Sequence, residues 1–208
     1  MKVEIVNRTH APEDTAGGAA ALCYNGKNPT RSLEVAMAGR HESVLEHVSF
    51  TFLVEGVSRV LLAQLTRHRL ASYSVQSQRY CGVKGCEVVM PETVRDHMFH
   101  GNFSQVAAEC FRLYEKMLAE GVPEEDARYI IPQGVTCKLM LTMNARELRH
   151  FFAMRCCNRA QWEIRELAWE MLRQCKEVAP VLFADAGPGC VRGACPEGDK
   201  SCQKKKGV

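Results

Sequence analysis

Two stretches of the chain alternate strictly between apolar and polar residues. In VSFTFLVE, Val48, Phe50, Phe52 and Val54 share one face, and in VTCKLMLTM so do Val135, Cys137, Leu139 and Leu141. A period of two marks a half-buried strand, so both segments are predicted to lay one face on a core. VEIV near the start reads as a shorter strand. CEVVM reads as another, stopped by Pro91, whose ring nitrogen has no hydrogen to give a ladder.

Helical spacing fills most of the remainder. One helix falls within EDTAGGAAALCY, and a second runs from an N-cap at Thr30 to Arg40. Ser58 is placed to cap RVLLAQLTRH, and Asn102 with Gln105 forms a capping box for a helix reaching Gly121. Pro123 followed by Glu124, Glu125 and Asp126 is a helix start with acids at the positive end of the dipole, and that helix ends before Pro132. Asn144 with Glu147 opens ARELRHFFAMRCC by the same capping logic. Asn158 with Gln161 opens a last helix, where Ile164, Leu167, Ala168, Met171, Leu172 and Cys175 form a wide apolar stripe that ends near Pro180. Strands and helices mix without strict alternation, which favours an α+β fold, a largely antiparallel sheet flanked by helices, over a doubly wound one. Residues 1–186 read as one domain, and the Gly-, Cys- and Lys-rich residues 187–208 as a tail.

Composition narrows the partners. At 208 residues, 46% apolar and 25% charged, the chain is an ordinary globular protein large enough for a real core. A net charge of +3 provides no global field for nucleic acid, so any basic site is local. The first ten residues turn polar too early for a signal peptide, and no apolar run approaches the roughly 18 residues of a membrane span. A cytoplasmic protein with reduced thiols is expected, with its eleven cysteines mostly serving as small hydrophobes.

Familiar nucleotide and metal motifs are missing. The nearest approach to GxGxxG is GPGCVRG in the tail, which follows no strand and has the wrong spacing, and there is no GxxxxGK[ST] loop. HESVLEH gathers His41, Glu42, Glu46 and His47, but its histidines are six apart, about 240° on a helix. Cys190, Cys195 and Cys202 lack CxxC spacing. No metal is expected.

The chemistry concentrates in RHRLASYSVQSQRY, Arg67 to Tyr80. Gln64 and Arg67, three apart on the incoming helix, set an amide beside a cation. If the chain leaves the helix there, as the serines and valine of LASYSVQS favour, Arg67 and Arg69 point one way and His68 the other. Two guanidiniums on one side form a phosphate clamp, and Ser72, Ser74, Ser77 and Arg79 add donors. A small phosphorylated ligand is a better reading than a solvated loop or a nucleic-acid grip.

Arg67, His68 and Arg69, then seven residues, then Ser77, resemble the RHR-x7-S signature of the flavin-dependent thymidylate synthases. HESVLEH, QLTRHR, SQRY, ARYIIPQ, NARELRHFFAMR and AQWEIRELA resemble further family blocks, in the family's order, from about Ser32 to Phe183. The resemblance implies that family's fold and reductive methylation of deoxyuridine monophosphate (dUMP) to thymidylate (dTMP). Methylenetetrahydrofolate is the carbon donor, and FAD reduced by NADPH supplies the hydride. It also implies a homotetramer with active sites between subunits.

Position by position, Arg67, His68 and Arg69 match the flavin-contacting triplet and Ser43 a flavin-phosphate ligand. Asn144, Arg146 and His150 match the later flavin block, the last at a position that varies among members. Gln64, Arg67, Ser77, Arg79, Arg128 and Arg155 match nucleotide-binding positions. Arg155 matches the residue that activates the uracil ring, and His41 a histidine near folate and flavin. Val75 stands where some members carry a glutamate. No cysteine falls on a matched position, so thiolate attack on the pyrimidine is not expected. Arg155 stays charged at any working pH, so its implied role is to stabilise negative charge on the ring rather than to donate a proton. Asn144 and Arg155, eleven residues apart, share a helix face but stand roughly 16 Å apart, which suits two ligands better than one. The rival readings are a flavin-dependent NADPH oxidoreductase without methyl transfer and a nucleic-acid-binding module.

Overall fold

The computed structural model describes residues 1–83 and 85–202, so the last six positions of the expected tail lie outside the described residues. Strands are β1 (Lys2–Arg8), β2 (Ser49–Ser58), β3 (Ala71–Val75) and β4 (Thr136–Asn144), and they form one sheet in the order β1-β2-β4-β3. Helices are α1 (Pro12–Tyr24), α2 (Pro29–Ala38), α3 (Arg59–Leu65), α4 (Glu92–Arg95), α5 (His100–Ala119), α6 (Glu124–Ala127), α7 (Ala145–Arg155), α8 (Trp162–Val178) and α9 (Pro180–Phe183). This mixture of helices and antiparallel sheet is the expected α+β class. Among the described residues no helix is long and apolar enough to cross a membrane.

The chain divides into two compact units. The first comprises Met1–Lys2, Val54–Leu65 and Ser74–Leu139. Its core gathers Val83, Tyr114, Ala127 and Val135, with Phe111, Met117 and Ile130 packed against them. Ser58 caps α3 as expected, its Oγ accepting the Leu61 N–H at 3.0 Å. CEVVM does not form a strand. An isolated bridge, Val88 to Val135, holds it, with two flanking backbone bonds at 2.8 Å each, from Val89 N–H to Gly134 O and from Thr136 N–H to Glu87 O, and a bond from Glu87 N–H to the Thr136 hydroxyl at 3.2 Å. Gly134 permits that approach, because a Cβ there would lie 2.8 Å from a Val88 methyl. Asn102 and Gln105 sit inside α5 and cap nothing. The run after Pro123 is a single four-residue turn of helix, continued by a 3₁₀ turn over Arg128–Ile130. Val106 and Leu113 of α5, seven residues apart, and Phe99 just before it are exposed apolar side chains.

The second unit comprises Val3–Leu53, Thr66–Tyr73 and the chain from Met140. Here β2 and β4 are registered by the Thr51 and Thr142 hydroxyls, 2.9 Å apart, and by the Ala145 N–H donating to Val48 O at 2.7 Å. Phe50, Phe52, Phe151, Phe152 and Phe183 are fully buried, and Phe183 meets Phe50 and Phe152 edge-on. The α8 stripe is buried throughout, as its spacing predicts. Two caps differ from expectation. Asn28, not Thr30, caps α2 by accepting the Arg31 N–H at 3.0 Å, since the fixed φ of Pro29 suits the first helical position. Gln161, not Asn158, caps α8 by accepting the N–H groups of Glu163 and Ile164.

Candidate active site

The first half of the expected site lies in the second unit, along α7. Asn144 caps this helix, its Oδ1 accepting the Glu147 N–H at 2.8 Å. Glu147 does not return the bond as a capping box requires. Its carboxylate instead meets the His68 Nδ1 at 3.1 Å. On the far side of that ring, the Arg155 Nε–H donates to the His68 Nε2 at 3.1 Å. Glu147, Phe151 and Arg155 are successive fourth residues, hence neighbours along one helix flank, and the His68 ring lies against all three, edge-on to Phe151 at 5.0 Å.

These contacts fix the tautomer. Guanidinium has no lone pair to offer and carboxylate no hydrogen, so the Nδ1 of His68 carries the proton and Nε2 accepts. Burial lowers the His68 pKa below 6.5 and the Arg155 charge lowers it further, against the raising influence of Glu147. The imidazole is therefore neutral at physiological pH. The segment is also tied from β3, where the Tyr73 hydroxyl donates to the His68 carbonyl at 2.9 Å. Burial first, then the Glu147 charge, pushes that phenol up to about 12.

His68 is only 5% exposed, whereas Arg67 and Arg69 are exposed, the alternation expected of extended chain. Neither arginine makes a hydrogen bond or ion pair to any described residue. Arg155 is half-buried, and its pKa is lowered by burial and then by the Arg67 charge. Its terminal amino groups have no partner among the described residues. The Arg67 and Arg155 guanidiniums thus lie close enough for one charge to act on the other, and neither is paired with an anion among the described residues.

Beside them a cavity of about 630 Å³ is lined by Asn144, Arg146, His150, Leu70, Glu46 and Arg192, among others. Arg146 is paired with Glu46. Ser43 is exposed on the 3₁₀ turn Glu42–His47, and His41, also exposed, precedes that turn with its ring 6.0 Å from Tyr24. The floor is held by Arg149, 2% exposed, which donates to Glu42 at 3.1 Å, Asp185 at 2.7 Å and the Leu182 carbonyl at 2.5 Å. Arg192 joins Glu42 at 2.6 Å.

The first unit holds the other expected residues. Arg79 pairs with Glu125 at 2.6 Å, and Arg128 donates to the Glu125 carbonyl at 3.0 Å. The Ser77 Oγ accepts the Arg79 N–H at 3.2 Å, and the Arg79 guanidinium lies 5.5 Å from the Tyr80 ring centroid. Gln64 is half-buried on α3, its amide donating to the Val60 carbonyl at 3.4 Å. Val75, half-buried, ends β3.

Sequence reasoning missed Glu147 as anything beyond a cap partner, and missed Arg149, Arg192 and Glu125. The fourth-residue row Glu147, Phe151, Arg155 was the available signal for the first. The others depend on long-range packing. Among the described residues the group of three ligand-type side chains within 4.8 Å of one another is His68, Glu147 and His150. Both His68 nitrogens are already bonded, one to Glu147 and the other to Arg155, and His150 only meets the ring edge-on at 5.9 Å. A second cavity, about 580 Å³, is lined by Cys156, Cys157, Cys190, Cys195 and Cys202 among other residues. None of the eleven cysteines is joined in a disulfide.

The family model described as thymidylate synthase complementing protein matches residues 4–181. The chain is 46% identical to a flavin-dependent thymidylate synthase of Geobacter sulfurreducens, across 98% of this chain and 94% of the relative. It is 42% identical to one of Clostridium tetani, across 98% and 94%, and 42% identical to one of Pyrococcus furiosus, across 99% and 94%. With that family model spanning most of its length, and relatives of this identity matched nearly end to end, the chain belongs to the flavin-dependent thymidylate synthases.

Proposed function

We propose that the protein converts dUMP to dTMP, taking the carbon from methylenetetrahydrofolate and using FAD reduced by NADPH. The observation that carries this reading is the pair Arg67 and Arg155, whose charges act on each other, with Arg69 in the same unit and none of the three paired with an anion among the described residues. Like charges held together without compensation are costly unless a ligand supplies the opposite sign. Phosphate-bearing ligands supply it.

The residues suit a flavin dinucleotide. Arg67, Arg69 and Ser43 would hold its diphosphate through charge-assisted bonds, and Asn144, Arg146 and His150 line a cavity of fitting polarity. When bound, the flavin supplies the hydride. Ser77, Arg79, Arg128 and Gln64 would hold dUMP, with Arg79 and Arg128 for its phosphate. Arg155 directs its terminal N–H groups at the uracil and stabilises negative charge spreading over N3 and O2. His41 lies near the folate. The exposed apolar residues Phe99, Val106 and Leu113 support assembly with further copies. That assembly is a homotetramer whose subunits share active sites, in the fold of the family.

Purified protein is expected to be yellow, to oxidise NADPH faster with dUMP present, and to accumulate dTMP. Arg155→Ala is expected to lower turnover by about 10²–10³-fold, the scale of a lost transition-state donor. Colourless protein that takes up no FAD overturns the reading, and NADPH oxidation without dTMP replaces it with a plain reductase.

A further inference from the structure

We propose that Glu147 is a positioning residue that acts through His68 on Arg155. The proposal rests on the role given to Arg155 above.

The long Arg155 side chain has four rotatable bonds, and ordering it costs rotamer entropy. A guanidinium that stabilises a transition state must already be in place when charge develops. Here the Nε–H is tied to His68 at 3.1 Å, which leaves both terminal amino groups for a ligand. An imidazole can accept that bond only through a bare Nε2, and a neutral imidazole has one bare nitrogen.

Which nitrogen is bare is decided by the bond at the other. Glu147 decides it. Its carboxylate, 3.1 Å from Nδ1 and 7% exposed, draws the proton to that side. The same orienting use of a carboxylate holds the histidine of a serine-hydrolase triad. Phe151 packs edge-on to the ring at 5.0 Å. Glu147 is in turn anchored at the start of α7, where its N–H is bonded to Asn144. A carboxylate bonded to the imidazole thereby sets the direction of the guanidinium proposed to meet the uracil.

Full-length protein labelled with ¹⁵N-histidine reads the tautomer directly, the His68 signals being those lost in His68→Gln. Wild type is expected to show a neutral imidazole with its proton on Nδ1. In Glu147→Ala the proton is expected to move to Nε2. Turnover is expected to fall by about 10²-fold, the upper scale for loss of an orienting carboxylate, with the KM for dUMP changing less than kcat. Glu147→Asp should restore the Nδ1 proton and most of kcat.

Should Glu147→Ala fail to fold, Glu147→Met keeps the length of the side chain. It offers Nδ1 no carboxylate or carbonyl acceptor, so it predicts the same proton shift and loss. A wild-type proton on Nε2 overturns the proposal. So does a Glu147 variant, Ala or Met, that retains both the wild-type nitrogen signals and wild-type kcat. If the wild-type protein makes no dTMP, the proposed function fails, while the imidazole spectrum still decides the orienting chain.

Discussion

At the scale of single residues the site is organised around one neutral histidine. His68 faces Glu147, Arg155 and His150, and its pKa lies below 6.5, chiefly because burial disfavours the imidazolium. An unfolded chain binds a proton there more readily than the folded one. Stability from this group is therefore intact above 6.5, is lost as pH falls through the window below that value, and levels off once the folded form also protonates. Wild type is expected to show a urea midpoint that falls with acidity in this window, and His68→Asn a shallower fall. Equal slopes would mean that His68 is not held neutral. The alternation of RHR was legible in the chain because extended backbone sends neighbours to opposite sides. The partnership with Glu147 was not. A glutamate three residues after an asparagine reads equally well as half a capping box, and only the fold brings residue 68 to it.

At the scale of elements, α7 combines support and chemistry. Asn144→Ala should cost about 1 kcal/mol through the lost cap, measurable by chemical denaturation, and should weaken FAD binding as well. Asn144→Asp restores an acceptor for the Glu147 N–H but no amide donor. Stability is then expected to return without the affinity, and recovery of both would show that the cap is the residue's whole contribution. The strong strands β2 and β4 could be read directly, since Phe50, Phe52 and Val54 alternate on a buried face of the one and Cys137, Leu139, Leu141 and Met143 on a buried face of the other. CEVVM could not, because composition alone does not reveal that only Val88 finds a bridging partner. The start of α5 was misplaced because His100 and Phe99 carry no side-chain cap to announce it.

For the whole molecule, the proposed substrate contacts fall in two separate groups, one around Glu125 and one along α7. If each active site combines these groups from different copies, Arg128→Ala and Arg155→Ala proteins, each inactive, should regain a fraction of wild-type turnover when unfolded and refolded together. No recovery would place both arginines of a working site on one chain. Sequence blocks revealed the family and the identity of these residues, but their grouping depends on the folded chain.

Arg67, Arg69 and Arg155 carry one more consequence. The charges of Arg67 and Arg155 oppose each other in the native state; if they hold a phosphorylated ligand as proposed, its binding relieves that opposition while adding its own free energy. The lifetime of the folded chain in a cell would then be coupled to the supply of flavin and nucleotide, so that starvation for either would thin the enzyme pool as well as idle it.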